Sequence, residues 1–404
     1  MKQELIVKQK NKLPEGWHVY KMENVCDLKT GGTPSKSHPE YFGGNIKWIV
    51  SGDVNKEFIY DVDGRITELG LKNSNARILT KDSVLIALNG QGKTRGTVAV
   101  LKTEAACNQS IVAFIPKKRD QLDYTFLFYY LKSGYQKLRN LTGDNERSGL
   151  SMRILRPLPV VVPPIDTQKK IVDKIEKQMA QIEMIKKEAE RQKVVIESIF
   201  QSFLKNIFEK KEISAKWKRF KLGDNNISEI IMGQSPSSSS YNKLQKGLPF
   251  YQGKKDFGLI SPAPTVWCSK PKKIAKKGDI LISIRAPVGP TNIADADCCI
   301  GRGLASIRPK TNREFILFQL KYNVQKLQEK SNGSTFEAIN KNELFDFEVI
   351  LPDRLEQEKV IAILNQKEKE IENMKYQINN QLNAINQLPN SILNEVFGQY
   401  QIIS

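Results

Sequence analysis

The sequence predicts an α+β chain: two tandem mixed, mainly β domains separated by two long antiparallel helices that form a coiled coil, related by an internal pseudo-two-fold repeat. Three observations predict it. The chain aligns with itself at an offset of about 190 to 200 residues, each copy opens with short apolar runs broken by Gly, Pro, Asn and Asp, and each closes on an apolar seam of helical period. At 404 residues the chain is also too long for one ordinary core.

The repeat begins where Trp17, Tyr20 and Lys21 face Trp217, Phe220 and Lys221 at an offset of 200. Gly31-Gly32-Thr33-Pro34-Ser35 then faces Gly233-Gln234-Ser235-Pro236-Ser237, and Ile46 to Ile49 faces Leu248 to Tyr251. Val84 to Ala87 answers Ile280 to Ser283 at 196, and Ile115-Pro116 answers Arg308-Pro309 at 193. From Gln136-Lys137-Leu138 and Gln325-Lys326-Leu327 onward the offset settles at 188 to 190, through Val162-Pro163 and Leu351-Pro352.

Within each copy, runs such as Ser83 to Leu88 and Thr97 to Leu101 read as strands, because they are short, apolar and bounded by turn residues. Tyr124 to Leu131 and its counterpart Glu314 to Leu320 read as short helices. Pro163-Pro164 punctuates the chain, and a helix is expected from near Asp166. The expected segments are a first globular domain over 1–164, a helix over 165–210, a second domain over 211–352 and a second helix over 353–404.

The helices follow from an alternation of four- and three-residue steps. Ile171, Ile175, Ile182, Ile185, Ala189, Ile196, Ile199 and Phe203 form a heptad seam. Adding 189 gives Val360, Leu364, Ile371, Met374, Ile378, Ile385, Leu388 and Ile392, all apolar. Gln178 and Gln192, answered by Lys367 and Gln381, interrupt the seam and can fix its register. A helix from Thr167 to about Phe208 is roughly 60 Å long at 1.5 Å per residue. The domain between the helices should be only roughly 35 to 40 Å across. It cannot carry the chain back along the whole first helix, so the helices should pair antiparallel and hold the two domains apart, matching the approximate dyad of duplex DNA. Pro389 should kink or loosen the last turns of the second helix.

Lys and Arg number 63 against 44 Asp and Glu, a formal charge of +19 that favours a polyanionic partner. Biased codon usage offers a bland source for the same lysines. Five cysteines without C-x-x-C spacing indicate neither a disulfide framework nor a zinc site, and two histidines argue against imidazole-based metal or triad chemistry. The N-terminus lacks the apolar core of a signal peptide and no stretch approaches a membrane span, so a cytoplasmic location is expected.

Over essentially the whole chain this organisation resembles the specificity (S) subunits of Type I restriction-modification systems. The likeness is carried by Gly31 to Ser35 with Ile46 to Ile49 and Gly52-Asp53, by Asn108-Gln109 before a strand ending in Pro116, and by Pro163-Pro164 followed by Gln168 and Ile171. Family members carry Glu-Gln at the helix start, which Glu356-Gln357 keeps and Thr167-Gln168 does not. The resemblance implies two target-recognition domains, each reading half of a split target on double-stranded DNA. It implies two methyltransferase (M) subunits that bind S-adenosylmethionine and methylate adenine N6, and motor-nuclease (R) subunits that use ATP and Mg. It also implies a non-catalytic chain that binds no cofactor itself.

Ala87-Leu88-Asn89-Gly90-Gln91-Gly92-Lys93-Thr94 spells a P-loop, the competing reading as an NTPase. A P-loop must open a helix whose N-terminus meets the phosphates. Here Arg95 to Val100 reads as a strand, and the second copy has Arg285-Ala286-Pro287-Val288-Gly289-Pro290-Thr291, without lysine. A non-catalytic coiled-coil scaffold is the other alternative. No methyltransferase tetrad is present at Val162-Pro163-Pro164-Ile165, and no nuclease acid-lysine set follows Pro352-Asp353.

For DNA contact, Lys and Arg neutralise phosphates while Asn, Gln, Arg and Lys can pair with base edges. The candidates lie in loops near strand ends. In the first domain they are Ser35, Lys36, Asn89, Gln91, Lys93, Arg95, Asn108 and Gln109; in the second, Ser237, Tyr241, Gln252, Lys254, Lys255, Arg285 and Arg302. Trp17, Trp217, Trp48 and Phe250 are expected in the core.

Overall fold

A computed structural model describes residues 13–90, 93–141, 149–209, 216–258, 260–331 and 338–400. The chain forms two compact units, Met1–Ala189 with Gln381–Ser404, and Glu190–Asn380. Each unit therefore takes part of both long helices together with one globular domain.

In the first unit, Cys26–Thr30, Ile111–Pro116, Val84–Ala87, Val98–Leu101 and Phe58–Ile59 form a five-stranded sheet in that spatial order. A second sheet runs Arg65–Ile66, Phe42–Ile49, Ala105–Cys107, Ile78–Leu79, and His18–Lys21 pairs with Pro159–Val162. The unbroken apolar run at Val84–Ala87 has a physical explanation, since side chains alternate across a sheet and both faces here are covered. Val84 and Ile86 join Val98, Val100, Val112 and Phe114 beneath the helix Tyr124–Ser133. Leu85 and Ala87 join Leu101, Ile111, Ile49 and Cys107 on the other side. The helix starts at Asp123, whose Oδ1 accepts from the backbone of Thr125 at 2.9 Å and Phe126 at 2.8 Å.

The second unit repeats the plan. Ser228–Met232, Leu304–Pro309, Ile280–Ser283 and Thr291–Ile293 form one sheet, and a second runs Tyr241–Asn242, Trp267–Cys268, Leu248–Tyr251, Cys298–Ile300, Ile274–Ala275. Lys218–Lys221 pairs with Glu348–Leu351. Asn312 caps the helix Arg313–Tyr322 as Asp123 caps its counterpart. Both short helices run two residues beyond the C-terminal ends expected from sequence.

The long helices span Ile165–Glu209 and Arg354–Phe397. In the first unit the start of one meets the end of the other: Val172 and Ile175 share a core with Leu393 and Phe397, and Lys174 Nζ lies 3.5 Å from Glu395. In the second unit Leu204 and Phe208 share a core with Val360 and Leu364, and Lys367 Nζ sits 5.9 Å from the Phe203 ring centroid. The pairing is antiparallel in both. Phe397 packs edge-on against Phe126 and Tyr130, and Phe208, 189 residues earlier, against Trp217 and Phe315.

The seam itself needs correction. Ile175, Ile182 and Ala189 are buried, as are Leu364, Ile371 and Ile378, but Ile185 is 53% exposed and its counterpart Met374 44%. Ile199 and Leu388 are also exposed. A straight helix of 3.6 residues per turn drifts by about 20° per heptad from a 3.5 repeat. The buried line therefore moves on by one residue, and Leu204 and Leu393 take the fully buried places beside Phe203 and Ile392. Pro389 leaves the Ile385 carbonyl without its usual donor, yet the helix runs through it to Phe397. The aromatic cluster around Phe397 anchors the last turns.

Gln168 fastens the first helix to its domain. It is fully buried, its Nε2 donates to the carbonyls of Gln121 at 2.8 Å and Pro163 at 2.7 Å, and its Oε1 accepts from Asp123 N at 2.9 Å. Gln357 does the same with Pro352 and Thr311. Gln168→Leu strands three polar groups, one buried and two part-buried, and should cost about 3 kcal/mol, lowering the melting temperature by about 6–12 °C. An unchanged melting curve would show that this anchor does not hold the helix.

Candidate nucleic-acid interface

Four loops meet at one end of each domain because of strand register. In the first domain Phe42–Ile49 runs parallel to Ala105–Cys107, with Ile49 opposite Cys107, so residues 50–56 and 108–110 leave side by side. Asn108 N donates to Ile49 O at 3.0 Å and Leu88 N to Ser110 O at 2.8 Å, which brings in the 88–97 loop. Gly32 N donates to Cys107 O at 3.0 Å and brings in residues 31–37.

The second domain builds the same end with different residues. Gly301 N donates to Tyr251 O at 2.8 Å, Ile284 N to Gly303 O at 3.0 Å, and Gln234 N to Ile300 O at 3.0 Å. Leu150 N to Leu88 O and Ile339 N to Ile284 O are a further matching pair. Gly233 takes the part of Gly31: a Cβ there would lie 2.1 Å from Gly301 O. The second copy thus keeps the glycine at this position and departs from Gly-Gly-Thr-Pro at the next two, where exposed Gln234 replaces Gly32 and Ser235 replaces Thr33.

The structure gathers most second-domain candidates into one concavity. Gln252, Lys254, Lys255, Arg285 and Arg302 line an open cavity of about 540 Å³ together with Gly253 and Gly303. Lys254, Lys255, Arg285 and Arg302 are exposed, and none of these four cationic groups makes an ion pair or side-chain hydrogen bond among the described residues. Asp256, next to Lys255 in the chain, is engaged by the backbone N–H groups of Gln252 at 2.6 Å and Gly253 at 3.3 Å. Four unneutralised cations around one hollow favour an anionic occupant.

Tyr241 has a supporting place. Its hydroxyl donates to Pro236 O at 2.9 Å and its ring stacks on Phe250 with centroids 4.6 Å apart. Burial pushes its pKa up, partly offset by the charge of Arg302. Ser237 Oγ lies 2.9 Å from Ser239 Oγ, as Ser35 Oγ lies 2.7 Å from Ser37 Oγ, so both serines tie their own loops.

In the first domain Lys36, Asn89, Lys93 and Gln109 are exposed at the same end, and Arg95 is half-buried. Asn108 Oδ1 accepts from Ser110 N at 3.0 Å, a turn that presents Gln109. Thr33 Oγ1 donates to Gln109 Oε1 at 2.7 Å, joining two candidate loops. Gln91 lies outside the described residues. Trp217 and Phe250 are buried as expected, whereas Trp17 and Trp48 are half-buried, Trp48 Nε1 donating to Gly32 O at 3.1 Å.

The loop carrying Lys93 is a hairpin turn and opens no helix. Val84–Ala87 pairs antiparallel with Val98–Leu101, Ala87 N and Gly96 N bridge the turn, and Lys93 O accepts from Tyr135 Oη at 2.8 Å. The helix N-terminus that a P-loop requires is not at this place, and the NTPase reading falls with it.

Sequence reasoning missed one loop in each domain. Residues 73–77 lie against Gly32, whose Cβ would meet Asn75 C at 2.8 Å, so Asn73, Ser74, Asn75 and Arg77 flank the face. In the second domain Ile300 N donates to Lys273 O at 3.0 Å, bringing Lys270, Lys272 and Lys273 to its edge. The lysine run was a visible signal, but only the pairing of Ile274 with Cys299 places it.

All five cysteines are buried and unpaired. Burial pushes Cys26, Cys107 and Cys298 up to about 12 and Cys299 up to about 11. These four thiols stay protonated, and therefore unreactive, until the pH nears those values. Alkylation of the native chain at pH 8 should leave them unmodified and modify them fully after unfolding, as mass spectrometry would read. No helix of the described residues is long and apolar enough to cross a membrane.

The comparisons with known proteins agree with this geometry. The family model of the Type I restriction modification DNA specificity domain matches twice, over residues 14–193 and 214–384. A Methanocaldococcus jannaschii protein named as the specificity subunit of type I restriction enzyme MjaX is 32% identical, the match covering 87% of this chain and 86% of the relative. The MjaIX specificity subunit of the same organism is 28% identical over 60% of this chain and 59% of its own length. A solved chain from work on complex assembly and conformational transition of the type I R-M system matches with a TM-score of 0.75 at 28% identity, covering 96% of this chain and 99% of that one. The HsdS subunit from Thermoanaerobacter tengcongensis matches with a TM-score of 0.58 at 28% identity, over 97% and 99%. With two matching domains and a relative of that description matched over 87% of its length, the chain belongs to the Type I restriction-modification specificity subunits, the non-catalytic, DNA-recognising members of those enzymes.

Proposed function

We propose that the chain reads a bipartite target on double-stranded DNA, one half-site per domain, and directs adenine-N6 methylation by two M subunits and restriction by R subunits. The observation that carries this reading is the duplicated face: the same backbone hydrogen bonds gather the same four loops in both domains. One reader would need one such face, and a scaffold none. Ser35, Lys36, Asn89, Gln91, Lys93, Arg95, Asn108 and Gln109 serve the first half-site. Ser237, Tyr241, Gln252, Lys254, Lys255, Arg285 and Arg302 serve the second, with Tyr241, Asn108 and the two serines shaping loops that the others use.

S-adenosylmethionine belongs to the M subunits, ATP and Mg to the R subunits, and the assembly works in the cytoplasm. The segments 1–164 and 211–352 act as the two readers, and the helices over 165–210 and 353–404 set the unread spacer. Methylome sequencing of cells co-expressing the chain with its methyltransferase tests the reading. It should show adenine methylation in one bipartite motif, and exchanging residues 1–160 for another recognition domain should alter one half of that motif. If both halves changed, the modular reading would be wrong.

A further inference from the structure

The two faces share a backbone and differ in the side chains it presents. Cys107 and Ile300 accept the same loop bond, so Gln109 and Arg302 hold equivalent places two residues on. Leu88 and Ile284 likewise donate to equivalent carbonyls, so Asn89 and Arg285 are equivalent. Both amides have become guanidiniums.

From this substitution, and resting on the reading above, we infer that the domains discriminate different purines. The first reads adenine through Asn89 and Gln109, and the second reads guanine through Arg285 and Arg302. A carboxamide offers one donor and one acceptor side by side, which matches the N6 amino group and N7 of adenine in the major groove. A guanidinium offers two parallel donors and no acceptor, which matches O6 and N7 of guanine and rejects the adenine amino group.

The local bonding suits Gln109 and Arg302. Thr33 holds Gln109 Oε1, fixing the amide in one orientation while that oxygen keeps a second lone pair. Arg302 N donates to Ser235 Oγ at 3.2 Å, so the equivalent loop is tied through its backbone, leaving the guanidinium to line the cavity beside Arg285. Gln252 stands where the first domain has Val50 and supplies the second face with one amide, so its half-site combines guanine with adenine. Arg95, the one arginine in the first domain's hairpin loop, is half-buried, whereas Arg285 and Arg302 are exposed.

The test uses the chain assembled with its methyltransferase and duplexes of the methylome-defined target, each carrying one 7-deazapurine, which lacks N7. Each half-site is assigned to its domain by exchanging residues 1–160. Replacing guanine by 7-deazaguanine in the second domain's half-site should weaken binding at least about 5-fold. In the first domain's half-site 7-deazaadenine should have that effect and 7-deazaguanine none. The double variant Arg285→Asn with Arg302→Gln should lose sensitivity to 7-deazaguanine and prefer adenine at those positions.

A second half-site without guanine, or one indifferent to 7-deazaguanine, overturns the inference while leaving bipartite recognition standing. Failure of the unaltered complex to prefer any sequence would instead overturn that earlier reading. Should the double variant not fold, the modified duplexes on the unaltered chain still decide.

Discussion

Replacing Lys254, Lys255, Lys272 and Lys273 together by glutamine is expected to weaken DNA binding on the order of 1000-fold at 0.15 M salt, while leaving the methylated motif unchanged. These lysines stand on the rim and edge of the second reading face, exposed and without carboxylate partners among the described residues. Each phosphate neutralised contributes about 0.9 to the slope of log affinity against log salt, so losing four should flatten that slope by about 3.6. Phosphate contacts fix register and carry no direct sequence information. A titration between 0.05 and 0.3 M salt reads the slope, and an unchanged slope would remove these lysines from the interface. The contrast with Arg285 and Arg302, whose replacement should alter the motif, separates grip from reading.

Gly31→Ala is expected to unfold the first reading face and abolish recognition of one half-site, with a cost of about 3 kcal/mol or more. A methyl group at Gly31 would sit 1.8 Å from Cys107 O and 2.6 Å from its carbonyl carbon. Those are backbone atoms of a strand buried in the second sheet, so nothing flexible can give way. The loop must leave, and with it the Thr33 to Gln109 bond. Because each unit has its own core, calorimetry should show one transition shifted down and the other kept. Gly233→Ala should mirror this in the second unit. Unchanged recognition of both half-sites by Gly31→Ala would mean that the close approach is not needed for reading.

Much of the fold was legible because its signals are local and written twice. The strand at Val84–Ala87, the helix capped by Asp123 and its copy capped by Asn312, and the long helices after Pro163-Pro164 and Pro352 depend on a few neighbouring residues each. The heptad seam was partly misplaced at Ile185 and Met374, since a 3.5 period in the sequence does not state how far a real helix drifts from it. Composition and turn position singled out Gln252, Lys254, Lys255, Arg285 and Arg302, and the structure brings these five around one cavity. The same reasoning passed over Arg77 and Lys273. These reach the face through strands whose partners lie 28 and 25 residues away, at Ala106 and Cys299.

By itself the sequence determined that this is a duplicated chain with two β-rich domains, two long helices and a basic surface. Periodicity, capping residues, turn residues and net charge are local or additive properties, and repetition tested each of them a second time. Only the tertiary structure decided that Gln109 and Arg302, or Asn89 and Arg285, occupy the same place. That equivalence depends on which strand of each copy lies beside which, a matter of hydrogen-bond register between segments far apart in the chain. It is the shared register that gives two differently worded sets of loops the same backbone arrangement.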